Sequence, residues 1–176
     1  GVAPDMMCTA KAVTNSYFPF GAAMIGEKVA EAFEANKDAT GNIGHGYTYS
    51  AHPVGCAAAL ATLAETKKAR VWENAKERGV ELQAGLAQLK EKHQIAGDTR
   101  GIGLMAAIEL VADRETKVPA SKAAMAAAFE GAYADGVTIR VSGNNIILSP
   151  PLIITSNDVT RMMSALDKGL TAAANA

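Results

Sequence analysis

No apolar run in this sequence approaches the roughly 20 residues that a helix needs to cross a bilayer. A basic excess is missing too: 17 lysines and arginines stand against 18 aspartates and glutamates, for a formal net charge of −1. Nucleic-acid surfaces are built on such an excess, so neither nucleic acid nor membrane is expected as a partner. Cysteine is scarce. The two present, Cys8 and Cys56, form no CxxC pair and lie in apolar or Ala-rich stretches, which predicts small core residues in a reduced, cytoplasmic setting. His45, His52 and His93 are too scattered for a zinc site, and no metal is expected.

What is present begins with "PDMMCTAKAVTNSYFPFGAAM", residues 4 to 24. Met6 to Ala10 read as a buried strand, and Asn15, Pro19 and Gly21 break the chain afterwards. Lys11 therefore closes a strand and faces a loop. Most lysines in such places are solvated and block edge pairing. A lysine held in apolar surroundings instead loses ammonium hydration and can serve as a nucleophile or Schiff-base former. The residues alone leave both readings open.

Further along, residues 21–25 read as a strand and 27–34 as a short helix. "ANKDATGNIGHG" reads as a polar, Gly-rich loop. Pro53, suited to a first helical turn, opens a helix over 53–67. Val71, Trp72, Ala75, Gly79, Leu82, Leu86 and Leu89 form an apolar stripe opposite Lys76, Glu77, Arg78 and Lys90, which predicts a second helix. "RGIGLMAAIELV" (100–111) reads as one strand and 119–136 as a helix. "VTIR" and "NIILSP" read as two short strands around a Ser-Gly-Asn turn. Thr155 with Asp158 predicts the N-cap of a last helix whose apolar face is Val159, Met162, Met163, Leu166 and Leu170. A composition shift near residue 70 predicts a boundary between a loop-rich part, 1–69, and an α/β part, 70–176.

The first strand has no preceding element to pair with, and a parallel strand covered on both faces needs neighbours. The sequence is therefore expected to be the later part of a longer protein.

"GHGYTYSAHPVGCAAALA" (44–61) holds a second group of interest. Gly44 and Gly46 permit close backbone approach, Thr48 and Ser50 offer hydroxyls, Tyr47 and Tyr49 offer faces, and the helix N-terminus that follows favours an anion. These are ingredients of a phosphate contact. They are equally the residues of ordinary capping and loop chemistry.

In their order and separations, "PDMMCTAKAVTNSYFPFGAAMIGE", "HGYTYSAHPVGCAAALATL", "RGIGLMAAIEL" and "IILSPPLIIT" resemble the class III (omega) aminotransferases, which use pyridoxal 5'-phosphate. The resemblance covers nearly the whole chain. It implies an α/β fold of fold type I, with 1–69 the C-terminal part of the cofactor-binding large domain and 70–176 the small C-terminal domain. By the same resemblance Lys11 matches the lysine that forms a Schiff base with the cofactor and moves protons at the substrate's alpha carbon. Thr48 matches a threonine that bonds the cofactor phosphate across a homodimer interface, with Tyr47 beside it where an aromatic is common. Arg140 matches an arginine that receives a substrate carboxylate, a task suited to its planar fork.

The family's phosphate loop, ring-stacking aromatic and pyridine-pairing aspartate precede the lysine and are not among these residues. The isolated chain is thus expected to need the N-terminal part of the same protein and to be inactive alone. The implied reaction moves an amino group from an amine or amino acid to a keto acid such as pyruvate. An aminomutase or racemase on the same scaffold, or a truncated lobe without chemistry, are the alternatives.

Overall fold

The computed structural model describes residues 1–41 and 44–176, which fall into two compact units, Gly1–Ala69 and Arg70–Ala176. Among the described residues no helix is long and apolar enough to cross a membrane.

Unit 1 carries β1 (Met6–Ala10), a single 3-10 turn (Lys11–Val13), β2 (Gly21–Ile25), α1 (Glu27–Ala35), α2 (Lys37–Thr40) and α3 (Pro53–Lys68). β1 pairs antiparallel with β2, Met6 opposite Ile25 and Ala10 opposite Gly21. The first strand thus finds its partner downstream, which corrects the expectation of a parallel strand without a neighbour. It is also not buried: Met6, Met7, Met24 and Ile25 are all exposed, and so is Cys8. A two-stranded ribbon has no layer to cover its faces, so an apolar run makes a strand here without making a core. Cys56 is half-buried. The loop expected over 35–46 holds the short α2, and Asn42 and Ile43 lie outside the described residues.

Unit 2 runs α4 (Val71–Lys92), β3 (Ala96–Ile102), β4 (Met105–Leu110), α5 (Lys122–Ala134), β5 (Arg140–Ser142), β6 (Asn145–Leu148) and α6 (Ser156–Ala174). Its antiparallel sheet has the order β3-β4-β6-β5. Alternation along the strands sends Ala106, Ile108, Leu110, Ile146 and Leu148 to one face. There they join Leu82, Leu86 and Leu89 of α4, Met125, Ala128 and Ala132 of α5, and Val159, Met162, Leu166 and Leu170 of α6 in one core. Each buried leucine or isoleucine in it contributes about 1.5–3 kcal/mol relative to exposure. α6 starts on a reciprocal capping box: Thr155 Oγ1 accepts from the Asp158 N–H, and the Asp158 carboxylate accepts from the Thr155 N–H.

The stretch expected as one strand over 100–111 is a hairpin. Gly103 adopts φ +54° and turns the chain between β3 and β4, a conformation that costs little only for a residue without a Cβ. Gly79 on α4 lies against that turn; a Cβ there would stand 2.6 Å from the Gly103 Cα. α5 begins at its N-cap Ser121 rather than at Pro119, which forms an isolated bridge with Val111. Trp72, expected on the buried stripe of α4, is 52% exposed.

Candidate active site

Lys11 follows β1 directly and begins the 3-10 turn. Its φ is +56°, in the left-handed region that a residue with a Cβ enters at a cost. The side chain is exposed, and among the described residues no hydrogen bond or ion pair engages its amine. The desolvation expected for a reactive lysine is therefore not supplied by this chain's own side chains.

The residues after Lys11 are held by backbone bonds. The Thr14 N–H donates to the Lys11 carbonyl at 3.3 Å, Asn15 to Ala12 at 3.1 Å, and Tyr17 to Thr14 at 3.0 Å. Thr14 also donates its hydroxyl to the Phe18 carbonyl at 2.7 Å and is itself buried. The Phe18 ring stacks on His52, with centroids 4.9 Å apart.

His52 caps α3, its Nδ1 accepting from the Val54 N–H at 3.3 Å. That stack joins the loop after Lys11 to the end of the loop bearing Tyr47 and Thr48. The latter loop is closed by a reciprocal pair, Tyr47 N–H to Ser50 Oγ at 2.8 Å and Ser50 N–H to the Tyr47 carbonyl at 2.9 Å. Thr48 sits at the tip of that turn, exposed, with no hydrogen bond to its hydroxyl among the described residues. Tyr47 is exposed as well and meets His45 edge to face at 5.3 Å.

Arg140 belongs to unit 2. Strand register places it opposite Ile147, Ile147 opposite Ala107, and Ala107 opposite Arg100, one row across the sheet face that turns away from the core. The two arginines that end this row differ. Arg100 is held by Asp98 at 3.2 Å, Glu109 at 3.4 Å and Asn145 at 2.6 Å. Arg140 is exposed, and no side chain among the described residues pairs with it. Burial raises the Asp98 carboxyl, but the bonds from Arg100 and Lys90 outweigh it and hold the group below the usual carboxylate range. Of the two arginines, Arg140 is the one left without a side-chain partner among the described residues.

Lys11, Tyr47 and Thr48 thus lie in unit 1 and Arg140 in unit 2. An open groove of about 840 Å³ lies between α5 and the β5–β6 turn, lined by Met125, Phe129, Ile139, Val141 and Asn144. None of the four candidate residues lines it. Sequence reasoning missed Thr14, Phe18 and His52. The available signal was a threonine three residues after the lysine at the head of an Asn-Ser turn, a residue type that bonds nearby backbone.

A model of the family "Aminotransferase class-III" matches residues 1–170. An aminotransferase of Sinorhizobium fredii is 40% identical over 97% of this chain and 37% of its own length. An omega-aminotransferase of Caulobacter vibrioides is 37% identical over 97% of this chain and 38% of its own length. Among solved structures, an amine transaminase from an uncultivated Pseudomonas species, in its PLP-bound form, superposes with a TM-score of 0.91 at 40% identity. That match covers 97% of this chain and 39% of the other. An (S)-enantioselective omega-transaminase from Thermomicrobium roseum gives 0.87 at 30% identity, over 98% of this chain and 38% of the other. The chain spans under two fifths of the length of each of these proteins. Its mixed α/β architecture with a small sheet matches a C-terminal portion of fold type I transaminases. With the family pattern running from residue 1 to residue 170, the chain belongs to the class-III aminotransferases.

Proposed function

We propose that this chain is the C-terminal portion of a transaminase that moves an amino group from an amine or amino acid to a keto acid such as pyruvate. The observation that carries the reading is Lys11: a lysine at a strand end, in left-handed backbone, with an amine that no hydrogen bond or ion pair engages among the described residues. Conformations of that kind cluster where structure is spent on function.

The cofactor of this family is pyridoxal 5'-phosphate. The donor set here suits it. Lys11 offers a primary amine able to condense with an aldehyde, and Thr48 a hydroxyl, without a hydrogen bond among the described residues, for a phosphate oxygen. When bound, the cofactor supplies an electron sink for the charge left on the substrate's alpha carbon. Lys11 Nζ would hold the cofactor and, once displaced by the substrate's amine, would be free to take the alpha proton and give it back as general base and acid. Thr48 Oγ1 donates to the phosphate across a homodimer interface, and Tyr47 flanks it. Arg140 receives the substrate carboxylate through its fork. In this reading residues 1–69 end the large domain, 70–176 form the small domain, the N-terminal part of the same protein completes the site, and the enzyme is cytoplasmic.

Borohydride reduction of the full-length protein tests the reading. The reduced adduct is expected on the peptide containing "CTAKAVTNSY", and Lys11→Ala is expected to abolish amino transfer. An adduct on another lysine, or wild-type transfer by Lys11→Ala, overturns it.

A further inference from the structure

Unit 1 buries very little, and what it buries lies behind the lysine turn. Among its described residues Thr14, Gly55 and Ala59 are buried, and Thr14, 1% exposed, is the polar one. The Gly55 backbone lies against two rings; a Cβ there would stand 2.8 Å from Phe18 Cδ1 and 3.0 Å from Phe20 Cδ2. Phe18 in turn stacks on His52, the cap of α3. The turn after Lys11 is thus packed onto the start of α3, with Thr14 inside the contact.

Thr14 makes three bonds there. Its N–H reaches back to the Lys11 carbonyl, its carbonyl accepts from Tyr17, and its hydroxyl holds the Phe18 carbonyl. One buried residue therefore ties the lysine to the ring that anchors the loop. The left-handed backbone of Lys11 is strained for a residue with a Cβ and persists only where the surroundings over-determine it. The Lys11 side chain supplies no such constraint, since among the described residues no hydrogen bond or ion pair engages it. The constraint comes from the turn, and the hydroxyl of Thr14 is its buried side-chain bond.

We infer that Thr14 is a positioning residue for Lys11: its buried hydroxyl, by holding the Phe18 carbonyl, fixes the turn 11–18 and the direction in which Lys11 presents its amine. The inference rests on the reading of Lys11 as the cofactor-bearing lysine. Removing the hydroxyl leaves the Phe18 carbonyl, on a half-buried residue, without this partner, so the turn relaxes while the ring contacts with Gly55 remain.

The full-length protein carrying Thr14→Val or Thr14→Ser tests this. In Thr14→Val the borohydride adduct still maps to Lys11, the pH midpoint of the visible cofactor band moves, and kcat falls about 10- to 100-fold, the scale of a misplaced reacting group. In the cofactor-free variant the backbone amides at positions 14 and 17 exchange about tenfold faster than in the wild type, as expected for one lost hydrogen bond. Thr14→Ser restores the band, the rate and the protection. A Thr14→Val enzyme with an unmoved band and wild-type kcat per folded molecule overturns the inference, even if it melts earlier, and so does failure of serine to rescue. If Thr14→Val does not fold, the same readouts on Thr14→Ala decide it. An adduct on another lysine overturns the reading of Lys11 instead, and unchanged exchange at positions 14 and 17 in the cofactor-free variant separately removes the pin.

Discussion

His93 Nε2 lies 2.6 Å from Asp167 Oδ1, which ties the C-cap of α4 to the middle of α6. The same carboxylate accepts from Lys92 Nζ at 2.7 Å. Arg114 strengthens this corner by donating to the carbonyls of Lys90, His93 and Gln94, the last turn of α4 and the residues after it. A basic side chain on helix-end carbonyls satisfies groups that have no partner within the helix.

The Lys92 ammonium, and then the His93 ring, hold the Asp167 carboxyl below the usual carboxylate range, against the opposing effect of burial. In the unfolded chain the group titrates near the ordinary value of about 3.9. Its contribution to stability is therefore complete above that pH and fades as pH falls through the lower native value. Asp167→Asn is expected to cost about 1–2 kcal/mol at neutral pH and to make the acid limb of the stability curve shallower. Urea melts between neutral pH and acid measure both; an acid limb as steep as wild type contradicts the prediction.

Lys11→Gly is expected to be more stable than Lys11→Ala, the reverse of the usual order. The φ of +56° penalises alanine and not glycine, a difference of about 1 kcal/mol. Denaturant titration of both variants without cofactor reads it directly. An alanine variant at least as stable as the glycine variant means that the turn is not held in that conformation in solution.

α5 and α6 approach through small residues, and a Cβ on Gly169 would stand 2.5 Å from the Ala128 carbonyl oxygen. Backbone on the facing helix cannot swing aside as a side-chain tip can. Gly169→Ala is therefore expected to part the helices and cost about 1–3 kcal/mol, the range for overpacking. Thermal melting of the variant measures it, and an unchanged Tm refutes the close approach.

Arg140→Leu separates carboxylate binding from amino transfer. If the Arg140 guanidinium receives the substrate carboxylate, KM for a keto acid rises about 10- to 100-fold, the equivalent of a lost charge-assisted contact. KM for an amine without a carboxylate stays near wild type. Steady-state kinetics with the keto acid acceptor and the amine donor on the full-length protein tell the two apart, and an equal rise for both removes Arg140 from that role.

The elements legible in the sequence are those whose signal is local. α3 is announced by Pro53 and an Ala-rich run, α4 by leucines at helical spacing, and α6 by Thr155 and Asp158, whose reciprocal bonds the structure shows. The β5–β6 hairpin was legible from its Gly-Asn turn, but its first strand is Arg140–Ser142 and not the expected 137–140, because Ser142 pairs with Asn145 and shortens the turn to Gly143 and Asn144. Lys11 at a strand end was legible for the same reason: an apolar run stops and turn residues follow.

Tertiary structure alone decided the rest, because each remaining feature depends on which distant atoms meet. The apolar stretch around Gly103 gives no periodic sign of its reversal, and the hairpin is set by Gly103 in left-handed backbone under Gly79 of α4. Burial of β1 could not be read from its residues, since apolarity says only that a strand can be covered, and in this chain β2 is its partner while its faces stay open. Arg100 and Arg140 are alike as sequence. The order β3-β4-β6-β5 sets them at two ends of one row, gives Asp98, Glu109 and Asn145 to the first, and leaves the second without a side-chain partner among the described residues. Thr14 is an ordinary turn residue until the loop closes, bringing the Phe18 carbonyl to its hydroxyl and both against Gly55. Local chemistry thus determined which residues could do the work, and long-range packing determined which of them are held and which are left free.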